Sequence, residues 1–449
     1  MNEDIIIAQA TPVGEGAISV IRVSGKGSIN ILDGVFRGKS KLTDASTHTI
    51  HYGKIINEQS AVIDDVLVSV FINPNSYTGE DSVEISTHSS TIVVRKIIEL
   101  LTSKGIRLAE PGEFTKRAFL NGKIDLAQAE AVADIINART EASLRGARNQ
   151  LDGILSQKVE ELRESLLSVS SLLELELDFA EEDLEFLSSQ EAIKKIDSII
   201  SEIKSLLETY SFGRVIREGI NVALVGKPNV GKSSLLNYML KESRAIVSEL
   251  PGTTRDIIRE EVSIDGVLFR LFDTAGIRLT ENTVEKEGVE RSREAVKEAD
   301  IVLFINDVLD GYSEELFNEL INLTKKEKII TVLNKIDLSD NENIKTDIRI
   351  SALTGKGIKE LFDLLKTKAL GSKSYTEKNA VISNVRHYNA LKKAKTNLID
   401  AKNSLLNNMT GEFVSVDLRL AEEHLGEIIG KVTTDDILNN IFSKFCIGK

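Results

Sequence analysis

The sequence predicts a chain of three parts: an N-terminal α+β domain, a discontinuous α-helical domain built from two distant segments, and an α/β nucleotide-binding domain inserted between those segments. Three observations carry that prediction. The apolar run Ile220 to Val225 feeds a glycine loop that opens a helix, the arrangement of a phosphate site in an α/β sheet. Two apolar stripes with spacings of 3, 4, 3 and 4, Ile193, Ile196, Ile200, Ile203, Leu207 and Leu391, Ala394, Leu398, Ala401, Leu405, flank the region containing that loop. All five prolines lie at 12, 74, 111, 228 and 251, so 112–227 and 252–449 are free for uninterrupted helices.

The first domain is read over residues 1–118. Ala17 to Val23 and Val66 to Ile72 have strand character, Thr91 to Leu101 has helix character, and turns are signalled at Asn73-Pro-Asn75 and Pro111-Gly112. From Asp125 the pattern becomes helical, with Asp125 and Gln128 spaced as a capping box. Each apolar stripe must bury against something, and packing the two together is the economical solution. The helical domain then comprises 119–212 and 376–449, and the inserted domain spans 213–375, with its ends close in space.

Composition narrows the classes of function. A hydrophobic fraction of 41% and a charged fraction of 28% are ordinary for a soluble globular protein. The formal net charge of -13 argues against one large basic face that grips nucleic acid by counterion release. Without an apolar run of about 18 residues or a basic leader region, the expected location is the cytoplasm, with no membrane contact. The single cysteine, Cys446, excludes internal disulfides and cysteine-rich metal sites. His387 and His424 are read as structural or solvated histidines.

The inserted domain carries the chemistry. Gly226-Lys-Pro-Asn-Val-Gly-Lys-Ser233 fits G-x-x-x-x-G-K-[ST], so Asn229, Val230, Gly231, Lys232, Ser233 and Ser234 are expected around the phosphates of a nucleotide. Lys232 reaches the β- and γ-phosphates, and the Ser233 hydroxyl is suited to Mg²⁺. Gly252-Thr-Thr-Arg-Asp256 offers Thr253 or Thr254 as a second Mg²⁺ ligand. The strand-like Val267 to Phe272 ends in Asp273, Thr274, Ala275 and Gly276, where Asp273 can hold the Mg²⁺ shell and the Gly276 N–H can touch the γ-phosphate. Ile329 to Leu333 ends in Asn334, Lys335, Ile336 and Asp337, and Ile350 leads into Ser351, Ala352 and Leu353. An aspartate accepts two hydrogen bonds from the N1–H and amine of guanine, whereas adenine offers no such pair. Four motifs in this order define a P-loop GTPase of the Ras-like class, with GTP and Mg²⁺ as ligands.

The hydrolysis mechanism departs from the Ras pattern. Ile277 stands where Ras-type proteins place a water-orienting glutamine, and no arginine finger is evident, Arg255 being a loop residue. Nearby carboxylates are Glu281, Glu285, Glu287 and Glu290, and a bound monovalent cation is one way to neutralise the charge that develops between the β- and γ-phosphates.

Beyond the GTPase motifs, the chain resembles the bacterial tRNA-modification GTPases of the MnmE (TrmE) family over essentially its whole length. The resemblance rests on Ala10-Thr-Pro-Val-Gly-Glu-Gly-Ala, Ile21-Arg-Val-Ser-Gly25, Asn75-Ser-Tyr-Thr-Gly-Glu-Asp81 and Pro111-Gly-Glu-Phe114. Arg117-Ala-Phe-Leu-Asn121, Lys123-Ile-Asp-Leu-Ala-Gln-Ala-Glu-Ala131 and Phe445-Cys-Ile-Gly-Lys449 extend it. It implies a homodimer with an N-terminal domain that binds a tetrahydrofolate derivative (5-formyl or 5,10-methylene). It also implies a flavin-dependent partner of the MnmG/GidA family in a heterotetramer, and tRNA as the substrate. Together the two proteins would add an aminomethyl-type group at carbon 5 of the wobble uridine, with a folate one-carbon unit as the source of the bridging carbon.

Carried onto this chain, the resemblance implies folate contacts at Arg22, Glu84, Lys123 and Lys449, consistent with a ligand whose glutamate tail seeks cations and whose pterin donates to a carboxylate. It implies K⁺ ligands at Asn229, Ser248, Leu250 and Thr253, within a nucleotide-binding loop that includes Glu249, Pro251, Gly252 and Thr254, and a water-positioning role for Glu285. One departure stands out: where the family has a histidine followed by two glycines, this chain has His88-Ser89-Ser90, which would tighten the pocket or shift the pterin.

Two other readings fit less well. A regulatory or ribosome-assembly GTPase acting only by binding would show a second phosphate loop or a KH-type GxxG turn after residue 376, and neither is present. A folate module with a vestigial GTPase is opposed by the intact Lys232, Ser233, Asp273 and Asp337.

Overall fold

The computed structural model describes residues 4–178, 188–242, 259–273, 293–339, 344–371, 380–407, 409 and 411–448, with side chains omitted at 176–178, 259 and 273. It divides into two compact units, Met1–Ala133 with Glu423–Lys449, and Asp134–Glu422. This partition cuts the chain differently from the three domains expected, because the last residues pack with the N-terminal part and the helices group with the nucleotide domain.

In the first unit, β1 (Ile6–Gln9), β2 (Ile18–Ser24), β3 (Phe36–Gly38), β4 (Thr49–Ile56), β5 (Val62–Phe71), β6 (Ser82–His88) and β7 (Arg107–Leu108) form one sheet in the order β3-β4-β5-β6-β2-β1-β7. All pairs are antiparallel except β1 with β7. Alternation puts Ile21, Val23, Val68, Val70, Val83 and Ile85 on one face, where the helix Thr91–Ser103 covers them with Val94, Ile97 and Leu101. The opposite face carries Arg22 of β2 directly across from Glu84 of β6. The expected capping box is present, since Gln128 N–H donates to Asp125 at 2.9 Å and Asp125 N–H donates to Gln128 at 3.0 Å. The chain ends on this unit: a side chain at Gly448, where φ is +96°, would meet the Gln9 carbonyl at 2.4 Å.

In the second unit, β8 (Ile220–Val225), β9 (Arg259–Ile264), β10 (Val267–Asp273), β11 (Ile301–Asp307), β12 (Ile329–Asn334) and β13 (Ile348–Arg349) form a sheet in the order β13-β12-β11-β8-β10-β9. Every neighbour is parallel except the β9–β10 hairpin. The fully buried β11 lies next to β8. Helices cover both faces, as a parallel sheet requires.

The two helical stripes do meet. Helix Ser189–Glu208 packs on Val385–Leu406, and Lys402 Nζ reaches both Asp197 oxygens at 2.6 and 2.8 Å. All of Leu391, Ala394, Leu398, Ala401 and Leu405 are buried. On the first helix the buried line is Ala192, Ile196, Ile199, Ile203 and Leu206, so the expected stripe is correct at Ile196 and Ile203, while Ile193, Ile200 and Leu207 flank it. Helical positions i and i+3 or i+4 both fall near one face, and the partner's position chooses the centre.

An ion network locks the N-terminal unit. The buried Arg117 donates to Asp4 Oδ1 at 2.8 Å and Glu113 Oε1 at 2.9 Å, and Arg107 donates to Glu113 Oε1 at 2.6 Å and Asp4 Oδ2 at 2.7 Å. Burial pushes the Glu113 carboxyl up, but hydrogen bonds from Arg107, the Glu110 N–H and Arg117 outweigh it and hold the group below its ordinary 4.5. Asp4 is likewise held below 3.8, burial again being outweighed by the two arginines. A carboxyl depressed in the folded state stabilises it at neutral pH, and that stability is lost as pH falls from the ordinary value through the folded one. Thermal melts should therefore show the midpoint dropping below about pH 4.5. Glu113→Gln should be less stable by about 1–3 kcal/mol at pH 7, with a shallower acid dependence.

Candidate functional site

The phosphate loop is built by one strand, one loop and one helix. β8 buries Val222, Ala223, Leu224 and Val225, and so fixes where Gly226 emerges; the helix Lys232–Glu242 begins after the loop. Two glycines are sterically required. A side chain at Gly226 would meet the Ile305 carbonyl of β11 at 2.3 Å, and one at Gly231, where φ is +94°, would meet Asn334 Nδ2 at 2.3 Å. Asn229 also takes a left-handed φ of 64° and is exposed. Lys232 is buried and its ammonium folds back on the Gly226 and Lys227 carbonyls at 2.9 and 3.0 Å, inside the loop that a phosphate would fill. Ser233 and Ser234 are exposed in the first helical turn, while Val230 is buried under the loop.

Asn334, 1% exposed, joins the two halves of the site. Its Nδ2 donates to the Val230 carbonyl at 2.8 Å and its Oδ1 accepts from the Ala352 N–H at 3.0 Å. The phosphate loop and the Ser351-Ala352-Leu353 loop are thus held by one amide. Ser351 donates to Asp337 Oδ1 at 2.5 Å, fixing an exposed carboxylate beside the Ala352 backbone, and Leu353 is exposed. Lys335, with φ of 63°, pairs with the buried Asp307 at the end of β11. Neither β11 nor Asp307 figures among the sequence-derived candidates. The run Ile301-Val-Leu-Phe-Ile305 is the signal that marks the strand, and its end lies in register with Asn334.

Asp273 closes β10 beside Leu224 of β8, which brings its backbone to the same end of the sheet as the phosphate loop. Ser248, Glu249, Leu250, Pro251, Gly252, Thr253, Thr254 and Arg255 lie outside the described residues. So do Thr274, Ala275, Gly276, Ile277, Glu281, Glu285, Glu287, Glu290 and the terminal Lys449.

A second site lies on the open face of the N-terminal sheet. Arg22 Nε and a terminal nitrogen both donate to Glu84 Oε1, at 2.9 and 2.8 Å. The rings of Tyr77 and the fully buried Phe114 approach the Arg22 guanidinium at 5.3 and 5.6 Å, so the cation of the pair is held against two aromatic rings. Lys123 donates to the Pro74 carbonyl at 3.0 Å, and a side chain at Gly79 would meet the Lys123 stem at 3.3 Å. The loop from Pro74 to Gly79, which carries Tyr77, thereby links Lys123 to Arg22 and Glu84. Tyr77 and Phe114 belong to motifs visible in the sequence, but only the fold places them against Arg22.

The His88-Ser89-Ser90 departure has a structural use. Ser89 Oγ lies 2.8 Å from the buried Ser19 hydroxyl and donates to the Gly14 carbonyl at 3.2 Å, tying the loop after β1 to the end of β6. His88 is exposed and its Nδ1 lies 2.7 Å from Asp64. His387 is fully buried in its helix, and His424 lies 3.0 Å from Glu427. Cys446 is free and exposed. Among the described residues no helix is long and apolar enough to cross a membrane.

A largely parallel sheet with a glycine phosphate loop, clamped by a buried asparagine to a second loop whose Ser351 fixes the Asp337 carboxylate, defines a P-loop GTPase domain, in a chain that also holds a helical scaffold and an N-terminal α+β domain. Residues 5–123 match the N-terminal domain family described as "GTP-binding protein TrmE N-terminus", and residues 126–446 match "MnmE helical domain". The tRNA modification GTPase MnmE of Carboxydothermus hydrogenoformans is 44% identical over 100% of both chains. That of Aquifex aeolicus is 44% identical over 99% of both, and that of Clostridioides difficile 43% identical over 100% of this chain and 99% of its own. The chain belongs to the MnmE family of tRNA modification GTPases.

The clamp gives a direct test. Gly231→Ala forces either the backbone out of its left-handed turn or Asn334 off Val230, so the affinity for GDP should fall by at least about tenfold while the far-ultraviolet circular dichroism is unchanged. Wild-type affinity in that variant would mean that Asn334 does not hold the loop.

Proposed function

We propose that this chain hydrolyses GTP as part of tRNA wobble-uridine modification. In this reading it works as a homodimer with a flavin-dependent partner of the MnmG/GidA family, and the two add a carboxymethylaminomethyl or aminomethyl group at carbon 5 from a folate one-carbon unit. The observation that carries the GTP part is Asn334, which sets the phosphate loop and the Ser351–Leu353 loop at one spacing. Asp337, steadied by Ser351, is the acceptor for the N1–H and amine of guanine, and the Ala352 region receives O6.

Lys232 and the exposed Ser233 form a donor set that fits a nucleotide triphosphate with Mg²⁺: one ammonium for the phosphates and one hydroxyl for the metal. Thr254 and Asp273 complete the proposed Mg²⁺ shell. Asn229, exposed at its left-handed position, supplies the side-chain oxygen suited to K⁺, with Ser248, Leu250 and Thr253 as the remaining ligands. Such a cation supplies the positive charge that an arginine finger would otherwise bring. Glu285 positions the attacking water.

On the N-terminal unit, Glu84 accepts from the pterin, while Lys123 and Lys449 attract the glutamate tail. Arg22 holds Glu84 in place, the fully buried Phe114 backs the Arg22 guanidinium, and the partly exposed Tyr77 ring offers flat apolar surface to a flat ligand. Packing of Gly448 against Gln9 supports a site for Lys449 on its own N-terminal unit. Support for the homodimer comes from Ile50, Tyr52 and Leu67, three exposed apolar side chains on adjoining strands β4 and β5.

In single-turnover assays, Glu285→Ala should keep nucleotide affinity within about threefold and slow hydrolysis by about 10²–10⁴. Replacing K⁺ by Na⁺ should slow the wild type. Equal loss of binding and hydrolysis would make Glu285 structural, and indifference to the cation would remove Asn229 from the K⁺ site. For the pathway as a whole, mass analysis of tRNA from cells lacking this protein should show wobble uridine without the carbon-5 group, restored by the wild-type gene. Fully modified tRNA in those cells would refute the assignment.

A further inference from the structure

Asp307 closes β11 directly across from Asn334, the last residue of β12. Its side chain is only 5% exposed, so water does little to offset the charge, which must be met from within the protein. Lys335, the residue after Asn334, meets it: the ammonium donates to Asp307 Oδ2. The other carboxylate oxygen, Oδ1, accepts from the Leu309 N–H at 2.8 Å, and the Asp307 carbonyl accepts from the Gly311 N–H at 2.8 Å. A further bond joins the two strand ends, from the Val308 N–H to the Asn334 carbonyl at 3.1 Å. The loop after β11 therefore holds one oxygen of the carboxylate and leaves the other for Lys335.

That pairing falls on an unusual backbone. Lys335 has φ of 63°, a left-handed conformation that a residue with a long side chain keeps only where its surroundings fix it. Asn334, just before it, is clamped to Val230 and Ala352, and Asp337 follows two residues later. The Ile336 N–H donates to the Ile350 carbonyl at 3.3 Å and the Leu338 N–H to the Lys335 carbonyl at 2.9 Å, which completes the turn. A change of φ at Lys335 would swing Asp337 relative to the clamp. Whatever holds that angle also sets where the Asp337 carboxylate stands.

We propose that Asp307 is a positioning residue for guanine recognition: through Lys335 it fixes the turn that presents the Asp337 carboxylate. This rests on the reading of Asp337 as the acceptor for the guanine N1–H and amine. Asp307 acts at one remove, since its two oxygens are taken by Lys335 and by its own loop.

The test compares GDP with inosine diphosphate, which lacks the amine, by titration calorimetry on the full chain with Mg²⁺. Asp307→Asn keeps the shape and removes the charge. It should cut GDP affinity by about tenfold and inosine diphosphate affinity by less, so that the preference for GDP shrinks at least about threefold. A residue that only steadied the domain would weaken both nucleotides alike and leave their ratio unchanged. Lys335→Met alone should shrink the preference as well. Added to Asp307→Asn, it should change the ratio by less than about twofold more, because the two side chains act as one unit. If Asp307→Asn melts far below wild type, that double variant, which leaves no charge buried at the pair, carries the same comparison.

An unchanged preference for GDP in the folded variant, or losses that multiply in the double variant, overturns the proposal. Equal affinity of the wild type for the two nucleotides would instead refute Asp337 as the acceptor of the amine. A wild type that binds neither would refute GTP binding itself.

Discussion

The second unit depends on the seam where the chain leaves its helices for the nucleotide-binding sheet and returns to them. The chain leaves the helical scaffold after helix Tyr210–Glu218 and returns just before helix Val385–Leu406, and the two crossings are fastened to each other. A side chain at Gly213 would meet the Ile382 carbonyl at 2.2 Å, so the returning segment lies directly on that helix. The buried Thr209 hydroxyl accepts from the Ile382 N–H at 2.9 Å and donates to the Leu206 carbonyl at 2.7 Å. Tyr210 and Tyr388 stack at 4.4 Å across the same seam. A whole α/β domain can be inserted into a helix pair because its entry and exit are closed here, and the apolar stripes on either side remain free to bury each other.

Within the inserted domain the same economy recurs at Asn334. Buried polar groups must be satisfied, and this amide meets the requirement with one donor and one acceptor bond to two loops that are far apart in the sequence. Gly226 and Gly231 are needed because β11 and Asn334 press against the loop from the protein side. The loop's shape is therefore set before any phosphate arrives, which is the condition for a rigid anion site. In the N-terminal unit, Arg22 and Glu84 reach one another because β2 and β6 are register partners on the same face, while the Arg117 network holds the loop and helix that carry the two aromatic rings.

Much of this was legible before the fold was seen, for reasons that can be named. Asp125 and Gln128 bond as their spacing requires, because a capping box is a local device. The second apolar stripe is buried at every expected position. The first is off-centre, since the partner helix, not the spacing, chooses which neighbouring row faces inward. β11 went unread although its apolar run is continuous: a fully buried strand shows no alternation, and such a run does not declare its type.

The sequence by itself determined the order of the motifs, the glycine loop, the Asn334-to-Asp337 motif and the family, all of which depend on short spacings along the chain. Tertiary structure alone decided that Asn334 ties Val230 to Ala352, that Lys335 meets Asp307, and that Tyr77 and Phe114 flank Arg22. It also decided that Ser89 in the departed motif anchors the loop at Gly14. The physical reason is common to them all. Each joins residues far apart in sequence, and such contacts are fixed by the register and packing of whole strands and helices, which no local pattern encodes.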